Sequence, residues 1–198
     1  MNIRQTKFTH YNKYVKLQTA KALKSTKKTI NKKNSTKTTA KILRQLFPEL
    51  KTVLCVGCRH ESEINAFKEE GFDAVGIDII KQNNIITCDM SKITEHIFFK
   101  DKKIDIMFCS HSLEHCLDFN GFLKGVDYLG IKVIQVECPQ RNTTNSWDCT
   151  FYDFMKKTKK VEKNDILKYF TDFDLISSTV IKNEKKEYDS TVFTLKRK

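Results

Sequence analysis

Short apolar runs alternate with helical patterns from Lys51 to the end of the chain. A strand that is buried on both faces reads as a continuous run of Val, Ile and Leu, and helices then cover both faces of its sheet. The alternation therefore predicts an α/β, Rossmann-like fold with a seven-stranded, mostly parallel sheet. The predicted strands are residues 52–56, 74–77, 85–87, 104–109, 133–137, 173–180 and 191–196.

Helical periodicity fills several of the intervals between these strands. The predicted helices are residues 62–70, 94–99, 118–129 and 163–169. Residues 78–84, between the second and third strands, are fewer than the roughly ten residues that a helical crossover usually needs. We therefore expect no helix, or only a turn, in that interval.

The N-terminal quarter has a different pattern. Its few apolar residues are spaced so that they permit one amphipathic helix across about residues 9–24, whereas residues 24–37 show no helical pattern. Helical spacing resumes at residues 39–47 and stops at Pro48, which disfavours helix at the residue before it. We therefore divide the chain into a basic arm, helical or disordered, of residues 1–38 and a domain of residues 39–198.

The positive charge is concentrated in this quarter of the chain. The 198 residues carry 36 Lys and Arg against 24 Asp and Glu, a net charge of +12, yet residues 52–198 alone come to −1. Lysines interleaved with Phe8, Tyr11 and Tyr14 are able to track phosphates and stack on bases, so one interpretation is an RNA contact through residues 1–38. The other interpretation is a solvated arm without a partner.

Cysteine usage and hydropathy indicate the compartment. Seven cysteines, an odd number, lie mostly inside apolar runs, as free thiols of a reducing environment do. No apolar run approaches the roughly 18 residues of a membrane span, and the first residues lack the apolar core of a secretory signal. We expect a cytoplasmic protein without membrane contact.

Polar residues follow the predicted strands at the points where these end. In a doubly wound sheet, ligands bind at the carboxyl ends of the strands. Gly57 follows the first strand and permits a tight turn, and Asp78 ends the second strand, where a carboxylate can accept the hydroxyls of a ribose. Asp89 follows the third strand, and Ser110 and His111 follow the fourth.

These strand ends resemble the class I S-adenosylmethionine-dependent methyltransferases, and within them the small type with Ser-His-x-Leu-Glu-His after the fourth strand, here Ser110 to His115. The resemblance covers about residues 51–196. It implies S-adenosylmethionine as the cofactor and an antiparallel last strand that lies between the fifth and the sixth. The cofactor contacts that it implies are Gly57, Cys58, Arg59, Glu61, Asp78, Ile79, Asp89, Met90, Ser110 and His111.

The resemblance also implies individual roles. Asp78 would hold the ribose, Asp89 would pair with the adenine amino group, and Met90 would lie against the adenine ring. Arg59 and Glu61 replace the second and third glycines of the family's first motif, and we expect them to pair with the carboxylate and the amino group of the cofactor. Cys55 replaces the acid that usually precedes this motif.

These departures support an alternative from another class of protein. A catalytically inactive protein of the methyltransferase fold, retained as a nucleic-acid or protein-binding module, would show such substitutions. Nicotinamide dehydrogenases are disfavoured because only Gly57 remains of their Gly-x-Gly-x-x-Gly loop, and the chain has no Gly-Lys-Ser/Thr loop of nucleotide hydrolases.

Two short motifs have the spacing of metal ligands, but we predict no metal site. His111, Glu114 and His115 lie on one helical face, but magnesium prefers oxygen ligands, and the same string occurs in methyltransferases without metal. Cys55 and Cys58 have the spacing of a zinc pair, but no second pair follows nearby.

Methyl transfer is an in-line displacement, so acid–base help is needed only where the acceptor must lose a proton. His111 is the candidate catalytic base, and the alternative is that it only lines the cofactor pocket. Arg141, Trp147 and Asp148 follow the fifth strand, where substrate loops lie in this fold, and are the candidate substrate-binding residues. The predicted acceptor is a small molecule, such as a sugar, or RNA.

Overall fold

The computed structural model describes residues 15–16, 19, 29–116, 118–139, 166–181 and 190–198. Among the described residues are the α-helices α1 (Thr29–Leu46), α2 (Glu61–Glu69) and α3 (Phe119–Leu129). The strands are β1 (Thr52–Val56), β2 (Asp73–Asp78), β3 (Ile86–Thr87), β4 (Ile106–Ser110), β5 (Val133–Pro139), β6 (Phe173–Ile181) and β7 (Ser190–Arg197). Short 3-10 helices lie at Met90–Glu95, Ile97–Phe99 and Leu113–His115.

The seven strands form one sheet in the order β3-β2-β1-β4-β5-β7-β6. Strands β1 to β5 pair in parallel, and β7 runs antiparallel to both β5 and β6. The α/β fold, all seven predicted strands and the antiparallel last strand are thereby confirmed. The strand order reverses between β1 and β4, so the crevice at the carboxyl ends of these two strands is the place where a ligand binds in such a sheet.

Two hydrophobic clusters sandwich the sheet, and the alternation of side chains along β1 shows how. Val53 and Cys55 belong to the cluster beneath α1 and α2, whereas Leu54 and Val56 belong to the cluster beneath α3. Successive residues of a strand point to opposite faces, so a continuous apolar run fills both clusters at once. This double burial holds the carboxyl end of β1 in place.

Helix α1 begins ten residues earlier than its apolar pattern indicates. The sequence predicts irregular chain over residues 24–37, whereas the helix begins at Thr29 and crosses the predicted boundary after residue 38. Thr36 and Ala40 are buried, one turn apart. A buried threonine continues the packed face of the helix, but a hydrophobic pattern counts it as polar. The predicted start of this helix therefore lies too late in the sequence. The division into arm and domain stays a prediction.

Two further helical predictions differ from the structure in detail. Residues 94–99 are not one helix, because the two 3-10 helices meet at His96, whose Nδ1 accepts a hydrogen bond from the backbone N–H of Phe98. Of the predicted helix 163–169 the structure describes residues 166–169, in which Ile166 and Leu167 are helical. Residues 79–85, all described, contain only turns and an isolated bridge, which confirms that no helix follows β2.

Candidate functional site

Gly57 lies where the loops after β1 and β4 meet. Its φ is +67°, in the left-handed region that favours glycine, and a Cβ built on it would lie 2.5 Å from the Cβ of Ser112. Glycine is therefore required twice, for its backbone conformation and for the close approach. The result is close packing of the two loops at Gly57 and Ser112.

Cys58 joins the loop after β1 to β2 through its backbone and contributes its thiol to the core. The backbone N–H groups of Gly57 and Cys58 donate to the carbonyl of Ile77 over 2.8 and 3.2 Å. The side chain of Cys58 is fully buried, and a Cβ on Gly76 would lie 2.5 Å from its Sγ. The thiol therefore packs over β2, and any ligand contact of Cys58 has to come from its backbone.

Asp78 is the most firmly held acid at this edge of the sheet. Its carboxylate is buried, and Oδ2 accepts the backbone N–H of Arg59 over 3.0 Å while Oδ1 accepts the backbone N–H of Ile80 over 2.9 Å. Each oxygen retains a further acceptor site, so two hydroxyls of one ligand can be bound together. The neighbouring Ile79 is half-buried.

Arg59 has a backbone conformation that glycine adopts more easily than other residues. Its φ is +45°, which is uncommon for a residue with a side chain. Its backbone N–H donates to Asp78, and this hydrogen bond links the loop after β1 to the end of β2.

Glu61 lies beside the same loop and contacts a residue from the next one. Its Oε1 accepts a hydrogen bond of 2.8 Å from the side-chain amide of Asn84. The bond joins the loop after β1 to the turn between β2 and β3 at the rim of the crevice. Nothing in the sequence pattern pairs these two residues, because the contact depends on how the sheet brings the loops together.

Asp89 and Met90 follow β3 at the same edge. Oδ1 of Asp89 accepts from the backbone N–H of Ser91 over 2.9 Å and from its hydroxyl over 2.7 Å, which caps the first 3-10 helix and leaves Oδ2 outside these two bonds. Met90 is half-buried against the core. Burial, the charge of Asp89 and that of Glu95 raise the pKa of the neighbouring Cys88 to about 11, so this thiol is inert at neutral pH.

His111 lies at the end of β4 within a cluster of polar side chains. Its Nε2 is 3.0 Å from Oε1 of Glu137 and 3.4 Å from Oγ of Ser190, while Ser110 donates its hydroxyl to Oε2 of Glu137 over 2.7 Å. The φ of His111 is +52°, a left-handed turn that ends the strand and directs the ring toward β5 and β7. An imidazole between carboxylates is suited to proton transfer.

Glu114 and His115 complete this cluster from the third 3-10 helix. Oε1 of the buried Glu114 lies 4.0 Å from Nδ1 of His111 and 4.0 Å from Nε2 of His115, beyond hydrogen-bond distance. Within the described ranges, no group of three or more His, Cys, Asp or Glu side chains is arranged to hold a metal ion.

Glu137 and Ser190 are the site residues that the sequence reasoning missed. Glu137 interrupts an apolar run at the end of β5, and its register partner is Ser110. The rule applied to the first four strands, that polar residues at carboxyl ends form the site, would have found it. Ser190 opens β7, opposite Pro139, and its position depends on the antiparallel pairing.

The candidate substrate residues Arg141, Trp147 and Asp148 lie outside the described residues, so their role stays a prediction. The structure brings the remaining candidates together along the carboxyl ends of β1 to β4. Within the part of the chain that the structure describes, no helix is long and apolar enough to cross a membrane. The six cysteines of this part are buried, and none of them forms a disulfide bond.

A family model described as a methyltransferase domain matches residues 30–127, which are 98 of the 198 residues. No curated protein matches the sequence.

Solved structures with the same fold are numerous and distant in sequence. The 1,6-didemethyltoxoflavin-N1-methyltransferase of Burkholderia thailandensis, solved with 1,6-didemethyltoxoflavin and S-adenosylhomocysteine, has a TM-score of 0.72 at 10% identity over 100% of this chain and 93% of that one. The magnesium protoporphyrin IX methyltransferase of Synechocystis PCC 6803, solved with S-adenosylmethionine, has a TM-score of 0.59 at 13% identity over 85% and 81%. An S-adenosylmethionine-dependent methyltransferase of Archaeoglobus fulgidus has a TM-score of 0.51 at 19% identity over 82% and 94%.

The fold and the family match define the class of this protein. Residues 30–127 match a methyltransferase domain, and the chain has the fold of S-adenosylmethionine-dependent methyltransferases. The resemblance read from the strand ends is thereby confirmed at the level of family and fold.

Proposed function

We propose that this protein transfers a methyl group from S-adenosylmethionine to a small molecule, at an atom that loses a proton, with His111 as the general base. The observation that carries the proposal is the pair formed by His111 and Glu137 at the carboxyl ends of β4 and β5. Two of the similar structures come from enzymes whose names specify small-molecule substrates, a toxoflavin precursor and a porphyrin.

The residues at the carboxyl ends of β1 to β3 fit the cofactor. Asp78 is a buried, doubly oriented carboxylate that suits the ribose hydroxyls, and Oδ2 of Asp89 suits the adenine amino group. The loop that follows β1, with Gly57 and Arg59, and the adjoining Glu61 suit the methionine part, because they lie at the carboxyl end of β1 beside the crevice. When bound, S-adenosylmethionine supplies an electrophilic methyl group.

His111 and its neighbours are suited to remove the proton from the methyl acceptor. The ring is partly exposed at the carboxyl end of β4, so it can meet an acceptor that enters the crevice there. Removing a proton from a hydroxyl or N–H acceptor increases its nucleophilicity in the displacement. Acceptors without such a proton would need only orientation.

Calorimetric titration with S-adenosylmethionine and S-adenosylhomocysteine tests the proposal. We expect micromolar binding by the native protein and a loss of about ten-fold or more in Asp78→Asn, because a charged hydrogen-bond acceptor is removed. Asp73→Asn is the matched control, since this exposed acid lies at the opposite end of the same strand and should leave the affinity unchanged.

Failure of the native protein to bind either compound would refute the enzyme proposal. The inactive binding module would then be the better interpretation of the altered first motif. Binding that Asp78→Asn and Asp73→Asn weaken equally would refute the role of Asp78 as the ribose acceptor.

The excess of lysine near the N-terminus supports a second proposal, contact with RNA. Residues 1–38 carry the charge and the aromatic residues that such a contact requires. The contact would add to methyl transfer and would not replace it. A cytoplasmic location, like this contact, stays a prediction.

A further inference from the structure

The carboxylate of Glu137, near the end of β5, is held by the last residue of β4 and the residue that follows it. Ser110 donates to Oε2 over 2.7 Å, and Nε2 of His111 lies 3.0 Å from Oε1. The backbone N–H of His111 also donates to the carbonyl of Glu137 over 3.0 Å. Three hydrogen bonds thus join two adjacent residues of one strand end to a single residue of the next strand.

This arrangement determines which nitrogen of the imidazole carries the proton. A carboxylate only accepts hydrogen bonds, so Nε2 of a neutral His111 has to be the protonated nitrogen. Nδ1 then keeps its lone pair. The Oε1 atom of Glu114 is 4.0 Å from Nδ1, too far for a hydrogen bond, so Glu114 does not compete for the tautomer.

We propose that Glu137 is a positioning residue, which holds His111 in the Nε2–H tautomer and thereby makes Nδ1 the atom that takes the acceptor's proton. The inference rests on the function proposed above and narrows the acceptor to a hydroxyl or N–H group. In the reaction the acceptor atom bonds to the methyl group, the sulfur–methyl bond breaks with its electron pair on sulfur, and the acceptor's proton passes to Nδ1.

Two carboxylates flank the ring of His111. Its Nε2 lies 3.0 Å from Oε1 of Glu137, and its Nδ1 lies 4.0 Å from Oε1 of Glu114. Ser190 from β7 lies 3.4 Å from Nε2, and Nε2 of His115 lies 4.0 Å from the same oxygen of Glu114.

Nitrogen-15 NMR of the imidazole rings tests the assignment on the whole protein without knowledge of the acceptor. The five histidines of the chain are labelled, and His111 is identified by the signals lost in His111→Gln. At about pH 8.5, where an imidazole is normally neutral, we expect the Nε2–H tautomer with a proton that exchanges slowly with water. In Glu137→Ala this proton should exchange about ten-fold faster or more, since a charged hydrogen bond is lost.

Two further variants keep the test decisive. Glu137→Gln retains a hydrogen-bond acceptor of the same shape. The Nε2 proton should exchange more slowly in this variant than in Glu137→Ala and faster than in the native protein. If Glu137→Ala fails to fold, Glu137→Gln replaces it in the comparison. Asp174→Asn removes an exposed acid of β6 and should leave the His111 signals unchanged.

The positioning role of Glu137 is overturned if His111 of the native protein has the Nδ1–H tautomer. It is also overturned if the Nε2 proton exchanges equally fast in the native protein and in the Glu137 variants. Calorimetry with S-adenosylmethionine on the same samples separates this failure from failure of the proposed function. Cofactor binding with the wrong tautomer refutes only the role of Glu137, whereas the expected tautomer without cofactor binding refutes the enzyme.

Discussion

Individual backbone conformations decide whether the candidate site can form. Gly57, Arg59 and His111 all have positive φ values, and all three lie within three residues of the end of β1 or β4. Such conformations are costly for residues with side chains, so they persist where the surrounding contacts require them. At Arg59 and His111 these contacts are the hydrogen bonds to Asp78 and Glu137.

Gly57→Ala should therefore lower both stability and cofactor affinity. The left-handed φ costs about 1 kcal/mol for alanine, and the new Cβ would meet Ser112 at 2.5 Å, which forces the two loops apart. We expect the free energy of unfolding to fall by about 2–4 kcal/mol in urea titrations. S-adenosylmethionine binding should weaken in parallel.

Gly71→Ala is the matched control for this prediction. Gly71 has a φ of +82°, but a Cβ there would meet nothing closer than the guanidinium of Arg44 at 3.8 Å. It should therefore show the conformational cost alone, with cofactor binding unchanged. Equal losses in the two variants would show that the contact with Ser112 has no effect of its own.

Between elements, the amino ends of three strands are joined by one carboxylate. Asp105, directly before β4, accepts from the backbone N–H groups of Lys51 and Thr52 over 2.9 and 3.1 Å and from the hydroxyl of Thr52 over 3.0 Å. It also pairs with Lys132, directly before β5, over 2.8 Å. These contacts align β1, β4 and β5 at the edge of the sheet opposite the candidate site.

Asp105 gives the fold a predictable response to acid. Partial burial acts to raise its pKa, but the hydrogen bonds from Lys132, Lys51 and Thr52 lower it to about 2 from an ordinary value of 3.8. Since the folded-state pKa is depressed, the stabilisation is complete above about pH 4 and is lost as the pH falls toward 2.

Asp105→Asn should lower the free energy of unfolding by about 1–2 kcal/mol at pH 7. In urea titrations the difference from the native protein should stay constant down to about pH 5 and shrink at lower pH. Asp172→Asn, an exposed acid in a turn, should show no such difference. A deficit in Asp105→Asn that does not change down to pH 2.5 would contradict this account.

At the scale of the whole molecule, charge and chemistry lie in different parts of the chain. The candidate site at the carboxyl ends of β1 to β5 is rich in acids, including Asp78, Asp89 and Glu137, whereas residues 1–28 carry eight Lys and Arg and no acid. Helix α1 begins at Thr29, and its residue Thr36 is buried. A truncation that tests the basic segment should therefore end before Thr29.

Removal of residues 1–28 should leave S-adenosylmethionine binding within about two-fold of the full chain, because the fold keeps all of α1. If the segment binds RNA, the affinity of the full chain for RNA should fall steeply with salt, and the truncated protein should lose most of that affinity. Filter binding at several salt concentrations measures both effects. Equal RNA binding by the two proteins would rule out the basic segment as the contact.

Local sequence was sufficient for the strands and for the first candidate residues. Each strand is a short apolar run whose burial on both faces leaves little choice of conformation, and all seven lie within two residues of their predicted ends. Asp78 could be placed at the edge of the site because it directly follows such a run. These features depend on neighbours along the chain, so a pattern is enough to predict them.

The contacts that give the site its chemistry depended on the tertiary structure. Glu137 meets His111 because β4 and β5 pair in one register, and Ser190 joins them because β7 runs back between β5 and β6. The start of α1 likewise depends on what its polar residue Thr36 packs against. Such contacts join residues that are far apart in sequence. They form, and stabilise the site, only once the sheet has brought the strand ends together.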